Sequence, residues 1–365
     1  MAESNKRFQA RKAGTLEGRK DYNKRAGGRL VEVKRVVING LGRIGRMVLR
    51  NYVLARPTDV EIVAANASAP IEDLAYLIRY DSIHQRMPLP VVVDKDTIRI
   101  GDFVLIITAE RDPVKLPLKS LDINMVVDCT GHFTTRELAT KYLEAGARRV
   151  IIAAPAPDAD ITIILGVNES EFQPESHRVI STGSCTSNAL IPALKVLMDN
   201  FGVERAMVTT IHAYTASQAL VDKHDRDRPR GRAAAVSLVP STTGADATTA
   251  QVLPELQGRI KASSIRAPIP DGAITDIIAD LKKAVTREEI NGAFKSASER
   301  QMKGILGYNE DDIVSADIIG DLHSGIIHSL STSVVQEKMV KVQVWYDNEY
   351  GYSRRLLDVI EHLPV

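Results

Sequence analysis

The stretch TGSCTSN at 182–188 sets Cys185, one of two cysteines in 365 residues, between Ser184 and Thr186. The run RVISTG before it reads as a strand, and TSNALIPALKVLMDNFG after it has helical spacing that ends at Gly202. The thiol therefore falls at or near a helix N-terminus, where partial positive charge favours thiolate over thiol and makes a nucleophile. The competing assignment is an inert buried thiol, since free Cys packs like a small hydrophobe. A base close by decides between them. Of eight histidines, most have ordinary surface or loop readings, and His323 and His328 lack metal-pair spacing, so no metal site is expected. His212 differs, because TTIHAYT sets it mid-strand among apolar neighbours, as a hydrogen-bonded core residue or as that base.

A second group carries different chemistry. VVINGLGRIGR places Gly40, Gly42 and Gly45 as G-x-G-x-x-G after a strand and at the mouth of a helix. Gly40 permits a tight turn, Gly42 lets the backbone approach a pyrophosphate, and Gly45 lets helix and sheet pack closely, with the anion at the helix N-terminus. The alternative is a glycine-rich turn; the flanking strand and helix favour a dinucleotide site. The next strand should end in an acid that grips the ribose hydroxyls of NAD. It reads IVAANASAP, with Asn66, Ala67 and Ser68 and no carboxylate, which permits a 2′-phosphate and hence NADP.

The elements that must position these groups fall into two halves. Apolar runs VEVKRVVING, EIVAANA, INMVVDCTG, VIIAAP and ITIILGVN are separated by helical stretches such as RELATKYLEAGARR. Continuous apolar runs suit strands buried on both faces of a parallel sheet, which predicts a Rossmann-type, doubly wound α/β first half. From about residue 205, RAMVTTIHAYT, SSIRAPIP, GAITDIIADL and MVKVQVWYDNE are strand-like. TREEINGAFKSASER is the clearest helix there, with Thr286 as N-cap and Glu289 three residues on, so an α+β catalytic domain is expected. The polar LVDKHDRDRPRGRAAA is a long loop of the kind that is usually functional.

Composition narrows the class. An apolar share of 44% with 25% charged residues is that of a soluble globular protein. Two cysteines build no disulfide framework, and neither a spanning run nor a signal peptide is found, so a cytoplasmic home is expected. Residues 1–30 carry nine Lys or Arg against three acids, a local +6 in a chain of net +1. That stretch is expected to be a basic flexible tail through residue 33. A solvated arm is the plain reading, and contact with nucleic acid, an acidic partner or a neighbouring subunit is the other.

The motifs NGLGRIGR, RYDSIH, GSCTSN, TTIHAYT, STTGA, KGILGY and WYDNEYGYS, in that order, resemble phosphorylating glyceraldehyde-3-phosphate dehydrogenases from about Lys34 to the C-terminus. The resemblance implies Cys185 as nucleophile and His212 as base in a thioester route from glyceraldehyde 3-phosphate and inorganic phosphate to 1,3-bisphosphoglycerate, with hydride passing to NAD or NADP. It implies Thr215 and Arg266 at the substrate phosphate, and Ser184, Thr186, Thr243 and Gly244 at the attacking phosphate. For the cofactor it implies Arg43 at the pyrophosphate, Ile44 on the adenine, Thr130, Asn348 on the carboxamide and Tyr352 lining the nicotinamide pocket. It also implies a homotetramer. The expected domains are 34–183 for the dinucleotide, 184–349 for catalysis, and a helix at 350–365 returning to the first.

Departures from the family pattern point one way. Ala67 replaces the acidic ribose ligand, and Lys223 and His224 stand where NAD-using members tend to have Leu-Pro. Ser68 matches a hydroxyl of NADP-using relatives, and Arg111 lies where a base can approach the same phosphate. NADP is therefore favoured over NAD. Ala189 stands where many relatives have a second Cys, and the roles of Arg230 and Arg232 in RPRGR stay open. Erythrose-4-phosphate dehydrogenase is the rival enzyme reading. A binding protein that keeps the fold and uses its basic tail is the rival from another class, and intact Cys185, His212, Arg266 and Asn348 argue against it.

Overall fold

A computed structural model describes residues 33–364, together with the backbone of two short strands before them. The basic tail of residues 1–22 lies outside the described residues. Asn23–Ala26 and Arg29–Glu32 pair as an antiparallel hairpin, so the stretch expected to be flexible through 33 holds regular backbone. Two short runs around Gly27-Gly28 are a hairpin signal that the charge of the segment masks.

The first half is a nine-stranded sheet. Seven strands run parallel in the order Ile161–Thr162, Val179–Ser181, Arg149–Ile152, Met125–Asp128, Lys34–Asn39, Val60–Asn66 and Phe103–Thr108. Thr97–Ile100 and Val91–Asp94 extend it antiparallel. Lys34–Asn39 is buried throughout because both faces are covered. Val36 and Ile38 pack toward helix Arg43–Ala55 and the C-terminal helix Tyr350–His362, and Val37 packs on the other face with Ala139 and Tyr142 of helix Arg136–Glu144. That is the doubly wound architecture the apolar runs predict. ITIILGVN differs: only Ile161–Thr162 is strand. Asn168 bonds the N–H of Ile164 and the carbonyl of Thr162, each at 2.9 Å, so a side chain takes groups a longer ladder needs.

The second half is an eight-stranded mixed sheet. Val203–Ala213 pairs in parallel with Ile260–Ala267 and antiparallel with Ala273–Leu281. Burial alternates along Ala273–Leu281, the pattern of a sheet with one covered face. Helices Cys185–Phe201, Ala245–Val252 and Arg287–Glu299 contribute to that core. Thr286 and Glu289 close the capping box read from sequence. On the open face Met207 and Ile278 stand directly opposite one another and exposed. No helix among the described residues is long and apolar enough to cross a membrane.

Candidate active site

The nucleophile position is built by a strand, a turn and a helix. Val179–Ser181 ends in the first sheet, Gly183 takes φ +64°, and Ser184 caps the next helix by accepting from Ser187 N at 3.1 Å. Cys185 is therefore the first residue of a helix that packs on the second sheet. There His212 and Arg266 are register neighbours on parallel strands. Cys185 Sγ lies 3.4 Å from His212 Nε2. On the far side of the ring, Nδ1 lies 2.8 Å from the Ala213 carbonyl and 2.7 Å from Arg266 Nη1. The first neighbour only accepts and the second only donates, so Nδ1 satisfies one at a time.

Electrostatics here differ from the thiolate the helix start predicts. Burial pushes the Cys185 thiol up to about 11, against the pull of the Arg266 guanidinium and hydrogen bonds to Thr186. Burial, and then Arg266, pushes His212 down to about 4. Both partners rest neutral between those values. Desolvation outweighs the helix end because Cys185, though still partly open to solvent, packs against two cores. Cys129 is pushed up as well, by burial and the Asp128 charge, with no base as hydrogen-bond partner.

Anion-binding types surround the pair. The Arg266 guanidinium bonds His212 and the Ala213 carbonyl, and its buried Nε has no partner. A half-buried guanidinium spent on neutral groups is one an anion can claim. Arg230 stands near enough to oppose its charge and donates to Ser241 at 2.9 Å, which brings the open Arg-rich loop to this site. Ser241 ends a strand that pairs with Arg266's own strand, and Thr243 and Gly244 follow it to the start of helix Ala245–Val252. Thr243 Oγ1 accepts from Ala245 N at 3.2 Å, and Gly244 faces open space. Thr215 shares its hydroxyl with Ser217 at 2.9 Å. Thr186 is buried with its hydroxyl 2.9 Å from Tyr346 Oη, and both its N–H and its hydroxyl also reach the Cys185 sulfur.

At the other strand–helix junction, Gly40 takes φ +93° and Gly45 leaves no room for a side chain, since a Cβ there would sit 1.9 Å from the Gly40 carbonyl. Gly42 faces open space, and helix Arg43–Ala55 has no side-chain cap. Its first N–H groups are thus available to an anion. The Arg43 guanidinium is not: it is paired with Asp81 and, bidentately, with Glu349. The backbone of Arg43, rather than its guanidinium, is what remains open to a pyrophosphate. Ile44 packs at the edge of the first core. Thr130 donates to Asp128 at 2.9 Å and backs onto Gly40.

Asn66 closes the second strand with a saturated amide: it donates to Asn39 Oδ1 and Glu110 O and accepts from Thr108 Oγ1 and Glu110 N, all within 2.9 Å. Ser68 and Arg111 are exposed just beyond these adjoining strand ends. Asn348 is buried with an unsatisfied Oδ1, an acceptor waiting for a donor such as a carboxamide N–H. Tyr352 ties its hydroxyl to Gly183 O at 2.9 Å and lies 3.1 Å from Thr182 Oγ1, so it braces the cysteine turn. Open glycine backbone at an uncapped helix start and an orphaned acceptor near it fit a nicotinamide dinucleotide.

Comparison with known proteins agrees over most of the chain. Residues 34–136 match the glyceraldehyde 3-phosphate dehydrogenase NAD binding domain, and residues 184–348 match the C-terminal domain of the same family. The chain is 47% identical over 329 residues to glyceraldehyde-3-phosphate dehydrogenase of Geobacillus stearothermophilus, covering 90% of this chain and 98% of that one. It is 44% identical to glyceraldehyde-3-phosphate dehydrogenase 2 of Bacillus subtilis, covering 90% and 96%. With that of Priestia megaterium the identity is 45%, covering 90% and 98%.

Proposed function

The chain belongs to the glyceraldehyde-3-phosphate dehydrogenase family of NAD(P)-dependent oxidoreductases, and on that premise we propose that it converts glyceraldehyde 3-phosphate and inorganic phosphate reversibly to 1,3-bisphosphoglycerate through a thioester on Cys185. The observation that carries this is the 3.4 Å approach of Sγ to Nε2 beside a partly buried guanidinium with no carboxylate partner. The substrate phosphate draws Arg266 toward itself and Thr215, which frees Nδ1–H to donate to the Ala213 carbonyl and leaves Nε2 as acceptor. The thiol proton passes to Nε2 as sulfur bonds the aldehyde carbon, and it returns to the former carbonyl oxygen. His212 then takes the hydroxyl proton of the hemithioacetal as hydride leaves the carbon.

Asn348 and the Gly40–Gly45 turn hold the nicotinamide dinucleotide, which supplies the hydride acceptor when bound. Inorganic phosphate, held by Ser184, Thr186, Thr243 and Gly244 with Arg230 near, attacks the thioester carbon. The C–S bond breaks and His212 reprotonates the departing sulfur. We assign the dinucleotide to the unit on the first sheet, 34–183 with the C-terminal helix, and the chemistry to 184–349. Product formation that requires phosphate or arsenate is the expected result. Oxidation that runs equally well without either rejects it in favour of an acid-releasing erythrose-4-phosphate dehydrogenase.

NADP is the favoured cofactor. Asn66 spends its whole amide on Asn39, Thr108 and Glu110, no carboxylate directly follows it, and exposed Ser68 and Arg111 flank the space. kcat/KM measured with each dinucleotide tests this, and a tenfold or greater preference for NAD rejects it. A homotetramer is supported by Met207 and Ile278 on the open sheet face and by Leu220, Val221, Val236 and Leu238, all exposed and apolar. Light scattering should give about four times the 40.0 kDa chain mass, and a monomer would reject the assignment.

A further inference from the structure

Beside Asn348 lies a buried cluster that the proposed reaction does not use. One carboxyl oxygen each of Asp271 and Asp347 and a ring nitrogen of His84 lie within 4.8 Å of one another. Three separate segments bring them there: the turn between Ile260–Ala267 and Ala273–Leu281, the end of Met339–Tyr346, and the residues after helix Ile71–Arg79. His84 Nε2 is 3.4 Å from Asp271 Oδ2 and 3.2 Å from Glu349 Oε2. Arg43 and Asp81 stand behind Glu349, and the Tyr350 ring lies 5.2 Å from that of His84.

The hydrogen bonds distinguish the two aspartates. Asp347 accepts three fixed backbone N–H groups, from Gly320 at 2.7 Å, Glu349 at 2.8 Å and Tyr350 at 2.6 Å. Burial lifts its carboxyl while those three donors oppose the rise, which makes it the better anion of the two, and it shapes residues 347–350 and the start of the C-terminal helix. Asp271 accepts only from Gly272 N, and its buried Oδ2 receives no hydrogen bond. Yet a carboxyl oxygen of each lies within 4.8 Å of the other, an approach that a shared proton relieves and two bare carboxylates oppose. We infer that Asp271 is a positioning residue for the cofactor: as a carboxylic acid it donates to Asp347 and so fixes the segment that presents Asn348 and Glu349. Burial, then the Asp347 and Glu349 charges, lift Asp271 to about 8 in support. Losing that proton sets two carboxylates against each other beside a third, and the segment moves. The inference rests on the reading of Asn348 as the carboxamide ligand.

The test is the Kd of NADPH for the whole protein, by fluorescence, across neutral to alkaline pH, a readout independent of Cys185 chemistry. Wild type should weaken up to about tenfold per pH unit beyond the Asp271 titration. Asp271→Asn, whose amide donates at every pH, should keep the neutral affinity within about twofold and abolish the alkaline limb. Asp271→Ala should bind several-fold more weakly at all pH. An unchanged limb in Asp271→Asn overturns the inference, as does a stoichiometric divalent ion whose removal by chelator abolishes binding. Asn348→Ala separates the two claims: normal binding by that variant rejects the carboxamide reading, whatever the limb does.

Discussion

Two turns in this molecule share one backbone device and use it oppositely. At Gly40–Arg43 and at Gly183–Cys185 a parallel strand ends, a glycine takes positive φ, and a helix begins. The first helix is left uncapped, faces open space at Gly42, and has its leading side chain pulled aside by Asp81 and Glu349. Bare N–H groups remain, which suit a diffuse polyanion. The second is capped by Ser184, braced by Tyr352, and aims its first side chain at His212. A strand–glycine–helix junction thus leaves bare donors by default and instead sets a thiol against a histidine when the cap is filled and a strand brings the ring to the sulfur.

The comparison can be broken from either end. Cys185→Ser should lower kcat by roughly 10⁴-fold or more while leaving the Kd of the dinucleotide within about twofold, since the two turns do separate work. His212→Asn should cost roughly 10²–10⁴-fold in kcat. Gly45→Ala sets a Cβ 1.9 Å from the Gly40 carbonyl and should destabilise the fold by about 3 kcal/mol or more in urea unfolding. Gly42→Ala meets nothing and keeps an ordinary φ of −70°, so Tm should hold while dinucleotide affinity falls about tenfold. Ser184→Ala removes a cap, an expected loss of about 1 kcal/mol with a raised KM for phosphate.

Titration sharpens the same contrast. Because burial raises the Cys185 pKa and lowers that of His212, the thiolate fraction in the free protein grows with pH up to about 11. Alkylation of Cys185 should therefore keep accelerating above pH 8, and Cys129 should stay unmodified alongside it. A rate already flat from pH 7 upward would mean that the thiolate–imidazolium pair forms without substrate.

Much of this was legible in the residue string. The glycine spacing, the strand before it and the helix after it fix the dinucleotide turn, and Gly202, at φ +72°, ends the cysteine helix as read. The absent acid after Asn66 needs no structure to see. What stayed hidden depends on partners remote in sequence. The Arg43 guanidinium is captured by Glu349, 306 positions away. The Tyr352 hydroxyl is held by Gly183, 169 positions away. Arg230, left open from an irregular charge spacing, gains its place from strand Val239–Ser241 lying beside Arg266.

The sequence by itself determined the chemistry on offer, a lone thiol at a helix start, a strand histidine and a glycine turn, because these are local patterns of type and spacing. The tertiary structure decided the protonation states and which donors are free. Those follow from desolvation and from distances between segments far apart in the chain, which raise the Cys185 thiol and bring Asp271 against Asp347.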